Sequence, residues 1–153
     1  ARYYRSLGLK IYIGYFFNHD SPLRSERHIN SKIIQSAKRI KAGLQTELII
    51  RNLSVKKEFG FAGDIVKAVW KLINQDVIFE TTIGTGKSYS IKEWVEYCFK
   101  SLGLDFEEYV LNENIDPEYW TLVSNPTTIM SLGWEPLISF QNLADLMLTA
   151  NYE

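Results

Sequence analysis

An apolar run that ends in a polar, basic loop is the feature that most constrains how this 153-residue chain folds. Residues 9–15 are mostly apolar, as in a buried β-strand, and residues 16–24 follow as Phe-Phe-Asn-His-Asp-Ser-Pro-Leu-Arg. In open α/β sheets, ligands bind in the crevice beyond the carboxyl ends of the strands. The sequence therefore predicts an α/β fold in which Asn18, His19 and Arg24 lie where a ligand binds.

The size and composition of the chain indicate one compact domain. Hydrophobic residues make up 46% of it, which is enough to bury a core. No apolar run approaches the roughly 20 residues of a membrane span, and the first residues do not resemble a signal peptide, so we expect a cytoplasmic protein with no membrane partner. A single cysteine, Cys98, excludes an internal disulfide, and its helical spacing from Trp94 and Leu102 predicts a buried face.

Charge is distributed unevenly along the chain. Residues 1–57 contain 12 Lys and Arg against 3 Asp and Glu, whereas residues 58–153 contain 5 against 15. A basic segment suits either nucleic acid or a small polyanion, but these charges are spread over a strand, a loop and a helix rather than along one stripe. We therefore expect a phosphate-rich small ligand and no nucleic acid. Trp70 and Trp94 have the spacing of helical core residues rather than of a base-stacking surface.

Hydrophobic periodicity and capping signals predict alternating strands and helices. The predicted strands are 10–17, 48–50, 57–61, 79–83 and 106–111, and the predicted helices are 1–7, 30–42, 62–75, 90–103, 126–132 and one that Ser139 caps. The helix over 62–75 is expected to be buried through Ile65, Val69, Leu72 and Ile73. Ser90 and Glu93 have the spacing of a capping box.

Five blocks of sequence resemble, in the same order, the GDP-mannose 4,6-dehydratases, which are extended short-chain dehydrogenase/reductase (SDR) enzymes. The blocks are Phe17 to Arg24 with Lys32-Ile33, Asn52-Leu53, Lys56 to Gly60, Asp64 to Trp70, and Leu132 to Pro136. The resemblance implies the carboxy-terminal part of a Rossmann-like fold: the last parallel strands plus a small α/β substrate-binding domain. Residues 1–30 would end the nucleotide-binding sheet and form the Asn-His loop. Residues 31–153 would be mostly substrate-binding region, with a returning sheet strand and helices.

Two motifs of such enzymes do not occur in these 153 residues. The chain has neither a glycine-rich G-x-x-G-x-x-G turn nor a catalytic Tyr-x-x-x-Lys pair. We therefore interpret it as a carboxy-terminal fragment with no catalytic residues of its own. The resemblance implies the substrate-binding part of an NADP-dependent nucleotide-sugar 4,6-dehydratase, a lyase acting on GDP-mannose or a related GDP-sugar. The fragment is expected to be inactive alone, and the full-length parent to be a homo-oligomer.

The resemblance also implies roles for individual residues. His19 and Arg24 match residues that contact the NADP cofactor, with NAD as the alternative. Lys32 and Lys57 match contacts to the nucleotide diphosphate, Asn52 falls in a guanine-contacting stretch, and Glu118 matches a ribose contact. Asn18 is a further substrate-binding candidate, because a carboxamide both donates and accepts hydrogen bonds.

This sequence departs from the family pattern at three of these places. Lys57 stands where the family usually has arginine, and lysine lacks the bidentate fork that binds phosphate. Arg51 replaces a glycine, and Ile115 replaces an arginine three residues before Glu118. Because the departures lie at the substrate end, they favour a related sugar nucleotide, such as GDP-heptose, or a different base.

Other interpretations of the sequence stay open. The parent is alternatively an epimerase or decarboxylase of the same family, or the chain is a non-catalytic nucleotide-binding or interaction module, or a nucleic-acid-binding domain. A metal site at His19, Asp20, Glu26 and His28 is not expected, because their spacing lacks a metal-binding pattern. Residues 84–88 resemble the end of a phosphate-binding P-loop but lack its first glycine, so we expect a turn.

Overall fold

The computed structural model describes residues 1–150, which form an α/β fold with seven helices and nine short strands. The helices are α1 (Arg2–Ser6), α2 (Ile29–Lys41), α3 (Ala62–Ile73), α4 (Ile91–Ser101), α5 (Phe106–Tyr109), α6 (Thr127–Met130) and α7 (Phe140–Thr149). The strands are β1 (Ile13–Phe16), β2 (His19–Asp20), β3 (Leu48–Ile50), β4 (Lys56–Glu58), β5 (Gly60–Phe61), β6 (Glu80–Ile83), β7 (Ser88–Ser90), β8 (Val110–Asn112) and β9 (Thr121–Leu122).

Two parallel strand pairs bring the loop after β1 next to the chain that follows β4 and β6. β1 pairs with β6 in register from Ile13 with Glu80 to Phe16 with Ile83, so both strands end at the same edge. β2 pairs in parallel with β5, with His19 opposite Gly60. The Asn-His loop therefore lies at the carboxyl ends of parallel strands, as the sequence predicts.

A second group of strands lies beside this edge. β3 pairs in parallel with β8, and β4 lies between the antiparallel β7 and the parallel β9. The Glu113 amide donates to the Ile50 carbonyl, and the Ile115 amide donates to the Arg51 carbonyl, both at 2.9 Å. These two bonds hold the segment after β8 alongside the segment after β3, which creates the two walls of the cleft described below.

The larger hydrophobic core packs α2, α4 and α7 against β3 and Phe59. The Phe59 ring stacks on Trp94 with a centroid separation of 4.8 Å and meets Phe140 edge-on at 5.1 Å. Such aromatic pairs stabilise by about 0.5–1.5 kcal/mol beyond their buried area. Cys98 is fully buried in this core, as predicted, and burial raises the pKa of its thiol.

A smaller core forms where α3 packs on β6 and α6. Ile65 and Leu72 of α3 are buried there together with Trp134, whose indole N–H donates to the Asp64 carbonyl at 2.8 Å. Asp64 itself is almost fully buried and accepts hydrogen bonds from two backbone amides, those of Leu137 and Ile138, at 2.9 Å each. These bonds fix the loop before α7 to the start of α3.

Most of the predicted elements are confirmed, including the capping box that joins Ser90 and Glu93 and the Ser139 cap. The predicted strand over 106–111 is wrong, because Asp105 caps a short helix, α5, before β8 begins. The predicted strand over 57–61 is two strands, β4 and β5, in different sheets. The predicted loop over 18–24 contains the two-residue β2. Residues 84–87 form a turn between β6 and β7, as predicted.

Two expectations of burial on α3 are wrong. Trp70 is 66% exposed and Ile73 is 43% exposed, so the helix carries a second apolar stripe that the smaller core does not cover. Hydrophobic spacing identifies the helix but does not show which of two apolar stripes faces the core. Within residues 1–150, no helix combines the length and the apolar character needed to cross a membrane.

Candidate functional site

The Asn-His loop holds two polar side chains with hydrogen-bonding capacity to spare. The main-chain carbonyl of Asn18 accepts a hydrogen bond from the Gly60 amide at 3.2 Å, which leaves the side chain free of this contact. Its side-chain Nδ2 is buried and has no hydrogen-bond partner among residues 1–150. His19 Nδ1 lies 2.8 Å from the Phe17 carbonyl. Because a carbonyl only accepts, Nδ1 carries the proton, and Nε2 is the acceptor of the neutral ring.

A buried carboxylate anchors this loop to α2. Asp20 is 5% exposed and accepts a hydrogen bond from Asn30 Nδ2 at 2.5 Å. Arg24 Nε lies 3.3 Å from Asp20 Oδ1, which is an ion-pair distance, but the two atoms do not have the geometry of a hydrogen bond. Another nitrogen of the guanidinium, Nη2, lies 3.0 Å from His28 Nδ1. Burial raises the pKa of Asp20, although the nearby Lys57 and Arg24 charges oppose this shift. Arg24 is thus oriented by Asp20, with its side chain 37% exposed.

An open cleft of about 600 Å³ lies next to the loop. It is formed by the start of α2, the segment from β3 to β4, the start of α4, and the segment between β8 and β9. The lining residues are Ile29, Lys32, Ile49, Ile50, Arg51, Asn52, Val55, Lys57, Ile91, Ile115, Asp116, Pro117, Glu118 and Tyr119. This is the size of a pocket that takes a nucleotide-sized ligand.

Lys57 is a partly buried lysine of the cleft, and its surroundings change its pKa. It is half-buried on β4, and its Nζ lies 5.4 Å from the centroid of the Phe59 ring. Burial lowers the pKa of Lys57 to about 8; the like charge of Arg24 acts in the same direction, and Asp20 opposes both. An anion that entered the cleft would add a second negative charge near Lys57, besides Asp20, and would raise this pKa further.

Three other side chains bring polar groups to the cleft. Lys32 Nζ donates to the Ile49 carbonyl at 3.3 Å, which points the ammonium at the end of β3. The Asn52 side chain is partly used, because its oxygen accepts from the Ser54 amide at 2.8 Å and its nitrogen donates to the Ile115 carbonyl at 3.0 Å. Glu118 lies on the wall formed by the segment between β8 and β9 and is exposed.

The seven candidate residues thus form two adjacent groups. Lys32, Asn52, Lys57 and Glu118 line the one cleft, while Asn18, His19 and Arg24 belong to the loop. The charges of Asp20 and Arg24 both act on Lys57, so the two groups are close enough to interact electrostatically. Among residues 1–150, no group of three or more His, Cys, Asp or Glu side chains has the arrangement of a metal site.

Sequence reasoning missed Glu58, a fully buried carboxylate next to Lys57. One oxygen accepts from the Thr85 amide and hydroxyl, and the other accepts from the Gly86 and Ser124 amides at 3.3 and 2.5 Å. Glu58 therefore ties β4 to the turn after β6 and to the segment after β9. The sequence feature that accompanies this buried carboxylate is Gly84. A Cβ at that position would collide with Glu58 Oε2 and Ser124 Oγ.

Two solved structures share this fold over nearly the whole of the chain. RMD from Pseudomonas aeruginosa, solved with NADPH, superposes with a TM-score of 0.89 at 17% sequence identity, covering 97% of this chain and 50% of that chain. The dTDP-glucose 4,6-dehydratase from Bacillus anthracis, solved with NAD, superposes with a TM-score of 0.80 at 14% identity, covering 96% and 46%. The parallel strands and the loop at their carboxyl ends are thus those of the extended SDR epimerases and dehydratases.

Sequence comparison identifies the family within this class. The sequence profile of the GDP-mannose 4,6 dehydratase family matches residues 1–147, and the chain belongs to that family. GDP-mannose 4,6 dehydratase 1 of Arabidopsis thaliana is 34% identical over 160 aligned residues, which cover 100% of this chain and 44% of that protein. The chain therefore spans less than half the length of this curated relative.

Proposed function

We propose that this chain is the substrate-binding part of a nucleotide-sugar 4,6-dehydratase and that its cleft binds the diphosphate of a GDP-sugar. The observation that carries the proposal is that Lys32, Asn52, Lys57 and Glu118, four residues whose roles the family resemblance implies, line one cleft. Lys32 and Glu118 are 86 positions apart in the sequence. Proximity in the sequence therefore does not explain why these four residues line the same cleft.

The electrostatics of the cleft support an anionic ligand. Lys32, Arg51 and Lys57 bring three positive charges to it, against the two carboxylates of Asp116 and Glu118, and none of the three cations forms an ion pair within residues 1–150. A diphosphate would satisfy these donors with charge-assisted hydrogen bonds, which are roughly twice as strong as neutral ones. The role of the chain is then to hold the nucleotide so that the sugar reaches the reacting centre, because remote binding energy orients the reactive atoms.

The Asn-His loop offers one set of side chains to the phosphate groups of NADP and a further donor, Asn18, to the nucleotide sugar. Asn18 Nδ2 is a buried donor without a partner among the described residues, and the Arg24 guanidinium suits a planar anion. Held by this loop, NADP would supply the hydride acceptor and donor that a 4,6-dehydration needs. His19 and Arg24 would bind and orient the cofactor, with NAD as the alternative, and Asn18 would bind the substrate. We expect the chain alone to bind nucleotide sugars without converting them.

Isothermal titration calorimetry of the 153-residue chain with GDP-mannose tests the proposal. Lys57→Gln removes a charged donor from the cleft, so we expect it to weaken binding by roughly 10-fold to 100-fold, as for the loss of a hydrogen bond to a charged group. Lys56→Gln is the matched control, because Lys56 is the neighbouring lysine of β4, is exposed, and does not line the cleft. This control should bind as the unmodified chain does.

Two results would contradict the proposal. One is the absence of nucleotide-sugar binding by a chain whose circular dichroism spectrum shows that it is folded. The other is equal loss of affinity in Lys56→Gln and Lys57→Gln, which would indicate a general charge effect rather than a site. Separately, formation of a 4-keto sugar from GDP-mannose and NADP by the chain alone would disprove its proposed lack of turnover.

A further inference from the structure

A second groove, which we call the α3 groove, lies between α3 and the loop 133–137 and has a volume of about 610 Å³. Val66 and Trp70, one turn apart on α3, line one side of it, and Trp134 and Leu137 line the other. Val66 and Trp70 are each 66% exposed, and Leu137 is 63% exposed. Contiguous apolar surface of this kind marks an interaction site, whereas a single exposed apolar side chain does not.

Hydrogen bonds join the two sides of the α3 groove. The Asp64 carbonyl, at the start of α3, accepts from the Trp134 indole N–H at 2.8 Å. The Asp64 carboxylate accepts from the Leu137 and Ile138 amides at 2.9 Å each. The groove is therefore preformed, and docking there requires no ordering of its two sides.

A neighbouring pocket extends this groove past the loop. It has a volume of about 490 Å³, shares residues 133–135 with the α3 groove, and gains apolar surface from Met130 and Pro136. Lys87, in the turn after β6, also lines the pocket. The groove and the pocket thus form one continuous surface, which we call the α3 surface.

Lysines are concentrated at the α3 surface, although this part of the chain is acidic. Residues 58–153 contain five lysines and no arginine, against 15 Asp and Glu. Three of these lysines, Lys67, Lys71 and Lys87, line the α3 surface, and of the described acidic residues only Glu135 does so. This charge pattern is complementary to an acidic partner.

Two of the three lysines have no counter-charge within residues 1–150. Lys67 Nζ lies 3.2 Å from Asp64 Oδ1, so the buried Asp64 carboxylate balances its charge. Lys71 and Lys87 are exposed and form no ion pair with another described residue. Carboxylates of a partner would supply these two counter-charges.

The two sides of the groove favour a helix as the occupant. α3 bonds its main-chain groups internally, and the Leu137 amide is already bonded to Asp64, so these described residues offer no strand edge to an extended peptide. α3 has 12 residues and is about 18 Å long, which matches a partner helix of about three turns. Val66 and Trp70 form an i, i+4 ridge, which is the kind that packs into the groove of a second helix.

We propose that the α3 surface docks an amphipathic helix of a partner protein. The apolar face of that helix packs on Val66 and Trp70, and its acidic residues pair with Lys71 and Lys87. This interaction is separate from the proposed function, because the α3 surface and the proposed nucleotide cleft have no lining residue in common.

Fluorescence anisotropy with two synthetic helices tests the proposal. Each is a labelled peptide of about 14 residues, held helical by a lactam bridge, with leucines at i, i+3, i+4 and i+7. One helix carries glutamates on its other face, and the other carries lysines. We expect the chain to bind the glutamate helix at least about 10-fold more tightly than the lysine helix. Trp70→Ala should weaken binding of the glutamate helix by about 10-fold or more, whereas Trp120→Ala, at a tryptophan that is 57% exposed and outside the α3 surface, should not.

A charge exchange separates docking from a change in the fold. Lys71→Glu should weaken the glutamate helix by about 10-fold and strengthen the lysine helix, because it reverses the sign of one contact. A purely structural effect would weaken both helices. Lys100→Glu is the matched control, because Lys100 is an exposed lysine of α4 outside the α3 surface, and it should leave both affinities within about 3-fold.

The remaining outcomes overturn the proposal. It fails if neither helix binds the folded chain, if both bind equally well, or if the preference survives in Trp70→Ala and Lys71→Glu. A dimer of the chain in analytical ultracentrifugation that Trp70→Ala dissociates would make a second copy the occupant. Binding to phosphatidylserine vesicles that Trp70→Ala abolishes would make a lipid surface the occupant.

Discussion

Lys57→Arg should remove a pH dependence that the cleft imposes on diphosphate binding. Burial and Arg24 lower the pKa of Lys57 to about 8, so this lysine loses its proton within the range of ordinary assays. An arginine at the same position stays charged throughout, and its fork binds phosphate in a bidentate manner. The lysine form should therefore bind a nucleotide sugar less tightly as the pH rises, whereas the arginine form should not.

The size of the effect follows from the pKa of about 8. The charged fraction of Lys57 falls from about nine-tenths at pH 7 to about one-tenth at pH 9, because each pH unit away from the pKa changes the ratio of the two forms tenfold. If the diphosphate binds only the charged form, its association constant falls by about 10-fold over this interval.

Calorimetry at about pH 7, 8 and 9 measures this change for the unmodified chain, Lys57→Arg and Lys56→Arg. Titration of the ligand itself is common to all three proteins and cancels in the comparison. We expect the chain and Lys56→Arg to lose about 10-fold in affinity relative to Lys57→Arg. Parallel pH profiles for all three proteins would refute the reasoning, because they would show that the charge of Lys57 does not contribute to binding.

Three further changes test the surroundings of the cleft. Asp20→Asn removes the carboxylate that raises the pKa of Lys57, so the pH midpoint of diphosphate binding should move below 8; an unchanged midpoint would mean that the two groups are not coupled. Glu58→Gln places an amide N–H₂ against backbone amides and should lower the free energy of unfolding in urea by about 1–3 kcal/mol, while exposed Glu113→Gln should stay within about 0.5 kcal/mol. Ser90→Ala removes the α4 cap and should cost about 1 kcal/mol in the same assay, and no change would show that the capping box is dispensable.

The elements around the loop could be predicted from sequence because their signals are local. The apolar run before Asn18 and the Ser90 cap each depend on a few neighbouring residues, and the structure confirms the strand and the cap. The short strands β7 and β9 could not be predicted in this way. They have two or three residues each and exist only because β4 pairs with them, which is a tertiary effect.

The set of residues that line the cleft could be predicted only from the sequence and the fold together. The resemblance points to Lys32, Asn52, Lys57 and Glu118 one by one, but only the pairing of β3 with β8 brings the segment of Glu118 opposite that of Asn52. Glu58 was missed because β4 is covered on both faces at that point, so alternation does not separate an inward carboxylate from an outward one. Trp70 was placed in the core wrongly, because α3 is apolar on two stripes.

Nuclear magnetic resonance titration of the ¹⁵N-labelled chain with GDP-mannose tests most directly the central claim that the cleft binds the nucleotide. The account predicts that the amide shifts that change are concentrated at residues 49–57 and 115–119 and near Lys32, which form the two walls of the cleft and the start of α2. Shifts confined to the exposed stripe of α3 around Trp70, or no shifts at all in a folded chain, would contradict it.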